Sequence, residues 1–260
     1  VAPQHGVVLV GSSRTGRGSC VRVLLTRDEG RVRVLTLNRP AALNAFNDAL
    51  YNAVAVALTS AAADDSVSVV VLTAEGRAFS AGQDLAELDD GRAHEQRQLD
   101  GFRPFMDALG TFPKPIIAAV NGLGIGIGCT LLPYCDLVLM SREAQLRAPF
   151  VGLGLTAEAG SSYLLPSIIG WQTTAQFLFT GEWMSADMAH KAGLARSVFE
   201  APQLMIEAMA LATQIAQAPV VSLVATKQLL VASRMDAIRA ARTREDIAFA
   251  KLVGGSANRT

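Results

Sequence analysis

The sequence predicts an α/β fold followed by a helical C-terminal part. Short apolar runs rich in β-branched residues at 67–73, 115–120 and 136–140 are typical of buried strands. Segments with helical character separate these runs, and strands that alternate with helices favour a sheet with right-handed crossovers. Strand signals almost vanish from Ala159 onward, where only 195–199 is expected to be extended.

The expected elements begin with a hairpin. Residues 1–20, rich in Gly, Ser and Arg, are predicted to form a flexible extension. The runs 21–25 and 32–37 flank the turn signal Asp28-Glu29-Gly30, which predicts a β-hairpin. Asn47 is expected to cap a helix that ends near Ala63. Further helices are expected at 92–109, 160–169, 171–180, 185–192, 201–217, 220–232 and 235–252.

Composition limits the possible functions. Half of the 260 residues are hydrophobic and 18 % are charged, so a large core and an additional apolar surface, such as a subunit interface or a pocket, are expected. The 23 basic and 23 acidic residues balance, which leaves no electrostatic field to recruit nucleic acid or an anionic membrane. The longest apolar run, 116–132, contains Asn121 and is too short for a membrane span.

The cysteine and histidine content argues against disulfides and metal. Three cysteines without a CxxC motif, Cys20, Cys129 and Cys135, indicate reduced thiols and a cytoplasmic location. The three histidines are scattered, so no metal site is expected.

Two glycine-rich segments carry the main functional signal. They are GRAFSAGQDL at 76–85 and NGLGIGIGC at 121–129. Each is interpreted as a strand that enters a tight turn and then a helix, where the first backbone N–H groups lack intrahelical partners. Two such turns side by side can form an oxyanion hole. A dinucleotide site is the alternative, but the spacing is not GxGxxG and no acidic residue follows at the required distance.

These segments resemble the crotonase superfamily, the enoyl-CoA hydratase/isomerase group. The resemblance extends from about Val21 to about Lys251, with LNRPAALNAF at 37–46 as a third match. It implies a superhelix of ββα units over 21–199 and a helical region over 200–260 that makes trimer contacts. It also implies an acyl-CoA substrate, a homotrimer or a dimer of trimers, and no cofactor, because coenzyme A is part of the substrate.

The resemblance assigns the oxyanion donors to the backbone N–H groups of Gln83 and Ile127. Ile127 stands where the family has a glycine. A β-branched side chain at this position requires an ordinary helical backbone, and it is expected to fill space beside the thioester. Asp84 is expected to cap a helix, with a catalytic role as the alternative. The residues that the resemblance places near coenzyme A are Ala41, Leu43, Ser80, Ala81, Asp84 and Leu85.

The acid/base positions depart from the hydratase pattern. Family hydratases use two glutamates, and those positions are Thr130 and Phe150 here. Neither side chain can act as a general base near neutral pH, so efficient hydration is not expected. Glu158, in GLGLTAEAGSSYLLPSIIG, resembles the catalytic base of Δ3,Δ2-enoyl-CoA isomerases, although Ala157 replaces their proline. The alternative for Glu158 is an ordinary residue of a first helical turn.

The sequence therefore predicts an enzyme that converts a 3-enoyl-CoA to a 2-enoyl-CoA, with one carboxylate base. Two alternatives stay open: a hydratase-type enzyme with atypical catalytic residues, and a catalytically silent acyl-CoA-binding protein. Lys227 and Lys251, on the C-terminal helices, are expected either near the coenzyme A phosphates or in solvent.

Overall fold

The computed structural model describes residues 12–13, 21–84, 98–253 and 255. Most of the expected N-terminal extension, Leu85 and the first part of the helix expected over 92–109 lie outside the described residues. The strands, in chain order, are β1 (Ser12–Ser13), β2 (Val21–Arg22), β3 (Leu24–Glu29), β4 (Val32–Leu37), β5 (Val69–Ala74), β6 (Ala78–Ser80), β7 (Ile116–Val120), β8 (Leu123–Ile125), β9 (Leu137–Ser141), β10 (Gln145–Arg147), β11 (Met184–Ser185) and β12 (Ser197–Phe199).

Eight α-helices are found within the described residues. They are α1 (Asp48–Ala63), α2 (Arg103–Gly110), α3 (Ile127–Thr130), α4 (Ser161–Ile169), α5 (Trp171–Thr180), α6 (Ala186–Ala192), α7 (Ala201–Ala216) and α8 (Val220–Leu252). A π-helical turn, Gln98–Phe102, precedes α2. Short 3-10 helices follow β4, α3 and β10, at Pro40–Ala42, Leu132–Tyr134 and Val151–Leu153.

A six-stranded sheet in the order β12-β9-β7-β5-β4-β3 forms the centre of the molecule. The predicted hairpin is confirmed, since β3 pairs antiparallel with β4, and the other neighbours are parallel. Alternate residues of β5 contact two different cores. Val70 and Leu72 join the cluster that contains α1, whereas Val69 and Val71 pack with Leu204 and other residues of α7. Burial on both faces explains the continuous apolar runs.

A second, four-stranded sheet in the order β11-β10-β8-β6 was not predicted. Its strands have only two or three residues, too few for a periodic pattern. β5–β6, β7–β8 and β9–β10 each place one strand in the large sheet and the next in the small sheet. This alternation is the repeated ββα superhelix that the resemblance implied.

The helix predictions are mostly confirmed, with one correction. The Asn47 side chain caps α1 by accepting the Leu50 N–H at 3.0 Å. The two helices expected at 220–232 and 235–252 are one continuous helix, α8, of 33 residues. No Pro or Gly separates the two predicted segments, so nothing in the sequence breaks the helix there.

Lys227 anchors α8 to the large sheet. It is 6 % exposed, and its Nζ donates to the Lys114 carbonyl and the Asp136 carboxylate, both at 2.8 Å. The same Asp136 oxygen accepts the N–H of Ile116 at 2.7 Å. The expectation of a solvated or phosphate-binding Lys227 is wrong, because this ammonium group is used inside the fold. Lys251 is exposed, and its ligand contact stays a prediction.

No single helix of the described chain has the length and apolar composition of a membrane span. Only α7 and α8 taken together pass such a test, and they meet at 104°. The described residues also contain no group of three or more His, Cys, Asp or Glu arranged to hold a metal ion.

Replacing Asp136 by Ala is expected to lower the free energy of unfolding by about 3 kcal/mol, because it leaves the buried Lys227 ammonium without its counter-ion. Urea denaturation measures this loss. Asp236→Ala, at a fully exposed position on α8, is the control and should change the free energy by less than about 0.5 kcal/mol. Equal midpoints for the two variants would contradict a structural role for the ion pair.

Candidate active site

The two glycine-rich turns lie in direct backbone contact. Parallel pairing of β6 with β8 places Ser80 opposite Gly124, so the turns that follow the two strands lie next to each other. Gly82 and Gly126 have φ angles of +97° and +53°. A Cβ atom on Gly82 would lie 3.0 Å from the Ile125 carbonyl oxygen. Only glycine combines this φ angle with this close approach.

A further glycine lets α3 pack onto β6. A Cβ atom on Gly128 would lie 2.6 Å from the carbonyl oxygen and 2.8 Å from the Cβ of Ser80. In the Gly-Ile-Gly sequence at 126–128, close packing therefore requires the glycine at 128, whereas the positive φ of +53° favours the glycine at 126.

The Gln83 N–H is the first candidate donor of this site. Phe46 donates its N–H to the Gly82 carbonyl at 2.7 Å and accepts the Asp84 N–H at 2.9 Å, which makes a parallel bridge with Gln83. In such a bridge the N–H of the central residue points away from the partner. The Gln83 N–H makes no hydrogen bond within the described part of the chain. Tyr51 donates its hydroxyl to the Gln83 side chain at 2.9 Å.

The Ile127 N–H is the second donor. Ile127 is the first residue of α3, directly after Gly126, where an N–H has no intrahelical partner. No hydrogen bond from this N–H occurs among the described residues. The expected helical backbone is confirmed. The Ile127 side chain is 1 % exposed and packs in the main core, and its expected position beside a thioester stays a prediction.

The LNRP segment is joined to the first turn. Ala81 donates its N–H to the Leu43 carbonyl at 2.9 Å, and Leu43 and Asn44 both have left-handed backbones, with φ of +50° and +57°. The Asn44 side chain stabilises this conformation by donating to the carbonyls of Glu75 and Ala78 at 2.8 Å. The sequence motifs at 37–46 and 76–85 thus form one structural unit.

The residues predicted to contact coenzyme A differ in their exposure and in whether their side chains are already hydrogen-bonded within the protein. Ala41 is exposed, and Leu43 is half-buried. Ser80 is fully buried, and its hydroxyl accepts the Gly82 N–H at 3.2 Å, so its side chain is used within the turn. Leu85 lies outside the described residues. Ligand contacts at these positions stay predictions.

Asp84 forms an ion pair with Arg39 at 2.7 Å. Arg39 also donates to the Ala45 carbonyl at 2.5 Å, so this pair connects the LNRP segment to the first turn. The residues directly after Asp84, where it was expected to cap a helix, lie outside the described residues.

The two hydratase positions hold side chains that cannot transfer protons. Thr130, at the end of α3, is fully buried, and its hydroxyl forms no hydrogen bond of standard geometry with a described residue. Phe150 is 7 % exposed, and its ring lies 4.0 Å from where a Cβ of Gly126 would be. The Phe150 ring therefore makes the side of the second turn apolar.

Glu158 provides a carboxyl group beside α3. It lies in the segment between the 3-10 helix and α4, two residues before the N-cap Gly160. The alternative that Glu158 belongs to a first helical turn is therefore wrong. Its backbone carbonyl accepts the N–H of Ser161 at 3.0 Å and the Ser161 hydroxyl at 2.5 Å, which closes a tight turn.

The pKa of Glu158 is raised from 4.5 to about 7. The main cause is burial, because packing around the carboxyl group removes it from water. The negative charges of Glu245 and then Asp246 raise the pKa further, whereas the nearby Thr130 hydroxyl lowers it. A carboxyl group with this pKa can both accept and return a proton at neutral pH.

Sequence reasoning missed Glu245 and Tyr134. Glu245, on α8, accepts the backbone N–H groups of Gly160 and Ser162, and Tyr134 donates its hydroxyl to the Ala159 carbonyl at 2.7 Å. In the sequence, Glu245 stands in the charged run Arg244-Glu245-Asp246, which resembles any solvated helix face. No local signal could have distinguished it.

The arrangement suits proton abstraction next to a carbonyl group. Two backbone N–H groups on touching turns can stabilise negative charge on one oxygen, and one carboxyl group with a pKa near 7 can move a proton.

Comparisons with known proteins identify the family to which the chain is similar. Residues 27–256 match the family model for enoyl-CoA hydratase/isomerase. The chain is 37 % identical over 230 residues to the 2,3-dehydroadipyl-CoA hydratase of Escherichia coli (strain K12), covering 88 % of this chain and 89 % of that one. It is 34 % identical over 212 residues to the 1,2-epoxyphenylacetyl-CoA isomerase of the same organism, covering 80 % and 81 %. An enoyl-CoA hydratase/isomerase structure from Pseudoalteromonas atlantica T6c aligns with a TM-score of 0.86 at 34 % identity, covering 91 % and 94 %.

Gly82→Ala is expected to lower the free energy of unfolding by at least about 2 kcal/mol. The left-handed backbone strains the new side chain and its Cβ meets the Ile125 carbonyl, so strain and overpacking add. Urea denaturation measures the loss. Gly30→Ala is the matched control, since Gly30 has a φ of +58° but no atom within 4 Å of a new Cβ. Its cost should be about 1 kcal/mol, and an equal cost at Gly82 would contradict the close contact of the two turns.

Proposed function

Since the chain belongs to the enoyl-CoA hydratase/isomerase family, we propose that it shifts the double bond of a 3-enoyl-CoA to give a 2-enoyl-CoA, with Glu158 as the single base. The observation that carries this proposal is the Glu158 carboxyl group, whose pKa is raised to about 7. This group lies beside α3, the helix that ends at Thr130. Thr130 and Phe150 occupy the positions that hold two glutamates in hydratases of this family.

The proposed reaction needs one proton acceptor and one oxyanion hole. The thioester oxygen accepts hydrogen bonds from the N–H groups of Gln83 and Ile127. The Glu158 carboxylate takes a proton from C2 of the 3-enoyl thioester, and the electrons move into a dienolate that the two N–H groups stabilise. The protonated Glu158 then returns the proton to C4, so no redox step and no net uptake of water occur.

Hydration of a 2-enoyl-CoA has different requirements. It needs a water molecule activated on one side of the double bond and a proton delivered to the α-carbon. A buried Phe150 ring next to Gly126 gives a water molecule no hydrogen-bond acceptor there. The buried Thr130 hydroxyl cannot deprotonate water at neutral pH.

A hydratase-type enzyme with atypical catalytic residues is the second candidate. Its support is the identity of this chain to a hydratase over most of both sequences. A catalytically silent acyl-CoA-binding protein is the third, supported by the two missing glutamates. Glu158 separates both from the first candidate, because neither requires a titrating carboxyl group at this position.

The proposed binding mode uses coenzyme A as part of the substrate and no additional cofactor. Backbone groups of Ala41, Leu43 and Ala81 contact the coenzyme A moiety in this proposal, with Asp84 and the neighbouring Leu85 and Ser80 completing the loop. We place the protein in the cytoplasm because Cys129 and Cys135 are buried free thiols, whose pKa is raised to about 12 by burial.

We also propose a homotrimer or a dimer of trimers through the helical half. Large apolar side chains on its helices are exposed, more than scattered surface residues require. They include Trp171 at 72 %, Phe179 at 71 %, Val221 at 73 %, Leu229 at 77 % and Leu230 at 66 %. On α8, a shallow groove of about 460 Å³ is lined by Arg244, Ile247, Ala248, Lys251 and Leu252, and none of the proposed site residues takes part in it.

Glu158→Gln keeps the side-chain shape and removes the base, so the isomerase rate on 3-enoyl-CoA should fall by at least about 10²-fold. In the parent, kcat/KM should rise with pH through an apparent pKa of about 7, because the base must be deprotonated. Steady-state kinetics between pH 5 and 9 measure both effects.

A Glu158→Gln variant as fast as the parent would remove Glu158 from the mechanism. A parent protein that binds acyl-CoA but turns over neither 2- nor 3-enoyl-CoA would favour the silent binding protein. Hydration that survives Glu158→Gln would favour the atypical hydratase.

Light scattering should give a mass of three or six times 27.4 kDa at micromolar concentration. Replacing the exposed Leu229 and Leu230 together by Gln should shift the mass toward the monomer, because it removes apolar surface from the proposed interface. A parent protein that stays monomeric would contradict the proposed assembly.

A further inference from the structure

One side chain of the C-terminal helix accepts two hydrogen bonds from the loop that carries Glu158. Glu245 of α8 is 5 % exposed. One of its carboxylate oxygens accepts the Gly160 N–H at 2.6 Å, and the other accepts the Ser162 N–H at 2.8 Å. Hydrogen bonds to a carboxylate are stronger than those between neutral groups, and this pair fixes the chain two and four residues after Glu158.

The backbone between Glu158 and α4 needs such support. Ala159 has a φ of +58° although it is not glycine, and Gly160 follows with a φ of +74°. Two consecutive left-handed residues are unfavourable unless their surroundings determine them. Tyr134 supplies one external contact, through its hydroxyl on the Ala159 carbonyl, and Glu245 supplies the other two.

The loop packs closely against Tyr134 and α8 at Gly160. A Cβ atom on Gly160 would lie 2.9 Å from the Tyr134 hydroxyl and 3.3 Å from the Ile238 side chain. Ile238, Arg242 and Glu245 occur at i, i+4 and i+7, so one face of α8 contacts the loop. This face is also tied to α2, where Arg242 pairs with Asp107 at 2.8 Å.

The charged and polar groups around Glu158 come from four elements. Glu245 and Asp246 lie on α8, and both raise the pKa of Glu158. Asp246 pairs with Arg103 of α2 at 3.5 Å. Tyr134, beside the loop, keeps its proton because burial raises its pKa. The Thr130 hydroxyl of α3 acts in the opposite direction, by lowering the pKa of Glu158.

We propose that Glu245 is a positioning residue for the reaction: its two hydrogen bonds hold the Glu158 loop in its productive conformation, so the base is competent only when α8 is docked. The inference rests on the proposed function, in which Glu158 is the base. Glu245 itself touches neither substrate nor reacting atoms. The simpler alternative is that Glu245 only stabilises the start of α4, without effect on the proton transfer.

Glu245→Gln is the central test, because the amide loses the negative charge and its NH₂ group faces one of the two N–H donors. We expect kcat on 3-enoyl-CoA to fall by at least about tenfold, since small displacements of a reacting group are costly. KM should change by less than about twofold, because Glu245 does not contact the ligand. The apparent pKa in the kcat/KM profile should move to lower pH, because a like charge beside Glu158 is removed.

Glu245→Asp distinguishes the effect of side-chain length from the effect of negative charge. The shorter side chain keeps the negative charge but cannot span both N–H groups, so kcat should fall while the apparent pKa moves less than in Glu245→Gln. If Glu245→Gln does not fold, as judged by circular dichroism, Glu245→Asp carries the test through its kcat. Asp236→Asn is the matched control, an acid-to-amide change on the exposed side of α8, and it should leave kcat and the pH profile unchanged.

A double variant distinguishes this inference from the proposed function. In the Glu158→Gln background, Glu245→Gln should lower the residual rate by less than about twofold, because the base it positions is already absent. A folded Glu245→Gln with the kcat and pH profile of the parent would overturn the inference and leave the role of Glu158 intact. Full activity of Glu158→Gln alone would instead overturn the proposed function.

Discussion

The close backbone contact between the turns at Gly82 and Gly126 is the constraint on which the rest of the structure depends. Each turn ends a short strand of the small sheet, and the parallel pairing of β6 with β8 brings the two together. The large sheet supports this arrangement, because β5 and β7 are buried on both faces and deliver the chain to β6 and β8. Among the described residues, the same geometry leaves the N–H groups of Gln83 and Ile127 without a hydrogen-bond partner, so the fold itself provides the two candidate donors.

In the other half of the proposed site, the fold reduces the solvation of the proposed base, Glu158. Glu158 lies beside a buried threonine and two further acids, and its protonated form is favoured in the folded protein. The stability associated with that form is complete below pH 4.5 and is lost as the pH rises through about 7. The hydrogen bonds that Glu245 accepts from the loop, and the one that Tyr134 donates to it, hold the loop against this loss. A base with a neutral pKa is thus obtained at the expense of local stability, as is common at functional sites.

Much of the large sheet was predictable from sequence because its signals are local. The strands at 69–74 and 116–120 are continuous apolar runs, and the Asn47 cap has a recognisable side chain at a helix start. The small sheet was not predictable, since its strands are shorter than any periodic pattern. The buried Lys227 and Glu245 were missed for a different reason. Their partners, Asp136 and Gly160, are far away in the sequence, and only tertiary packing shows that these charges are not solvated. The two glycine motifs were found because positive φ and close approach demand glycine locally.

The central claim is that one carboxyl group moves one proton between C2 and C4 at a site where water is not added. Incubation of 3-enoyl-CoA and 2-enoyl-CoA with the enzyme in deuterated water, followed by mass spectrometry of the products, tests it most directly. The account predicts interconversion of the two isomers, with deuterium appearing only at C2 or C4 and no product that has gained a water molecule. Accumulation of a 3-hydroxyacyl-CoA as the main product would contradict it.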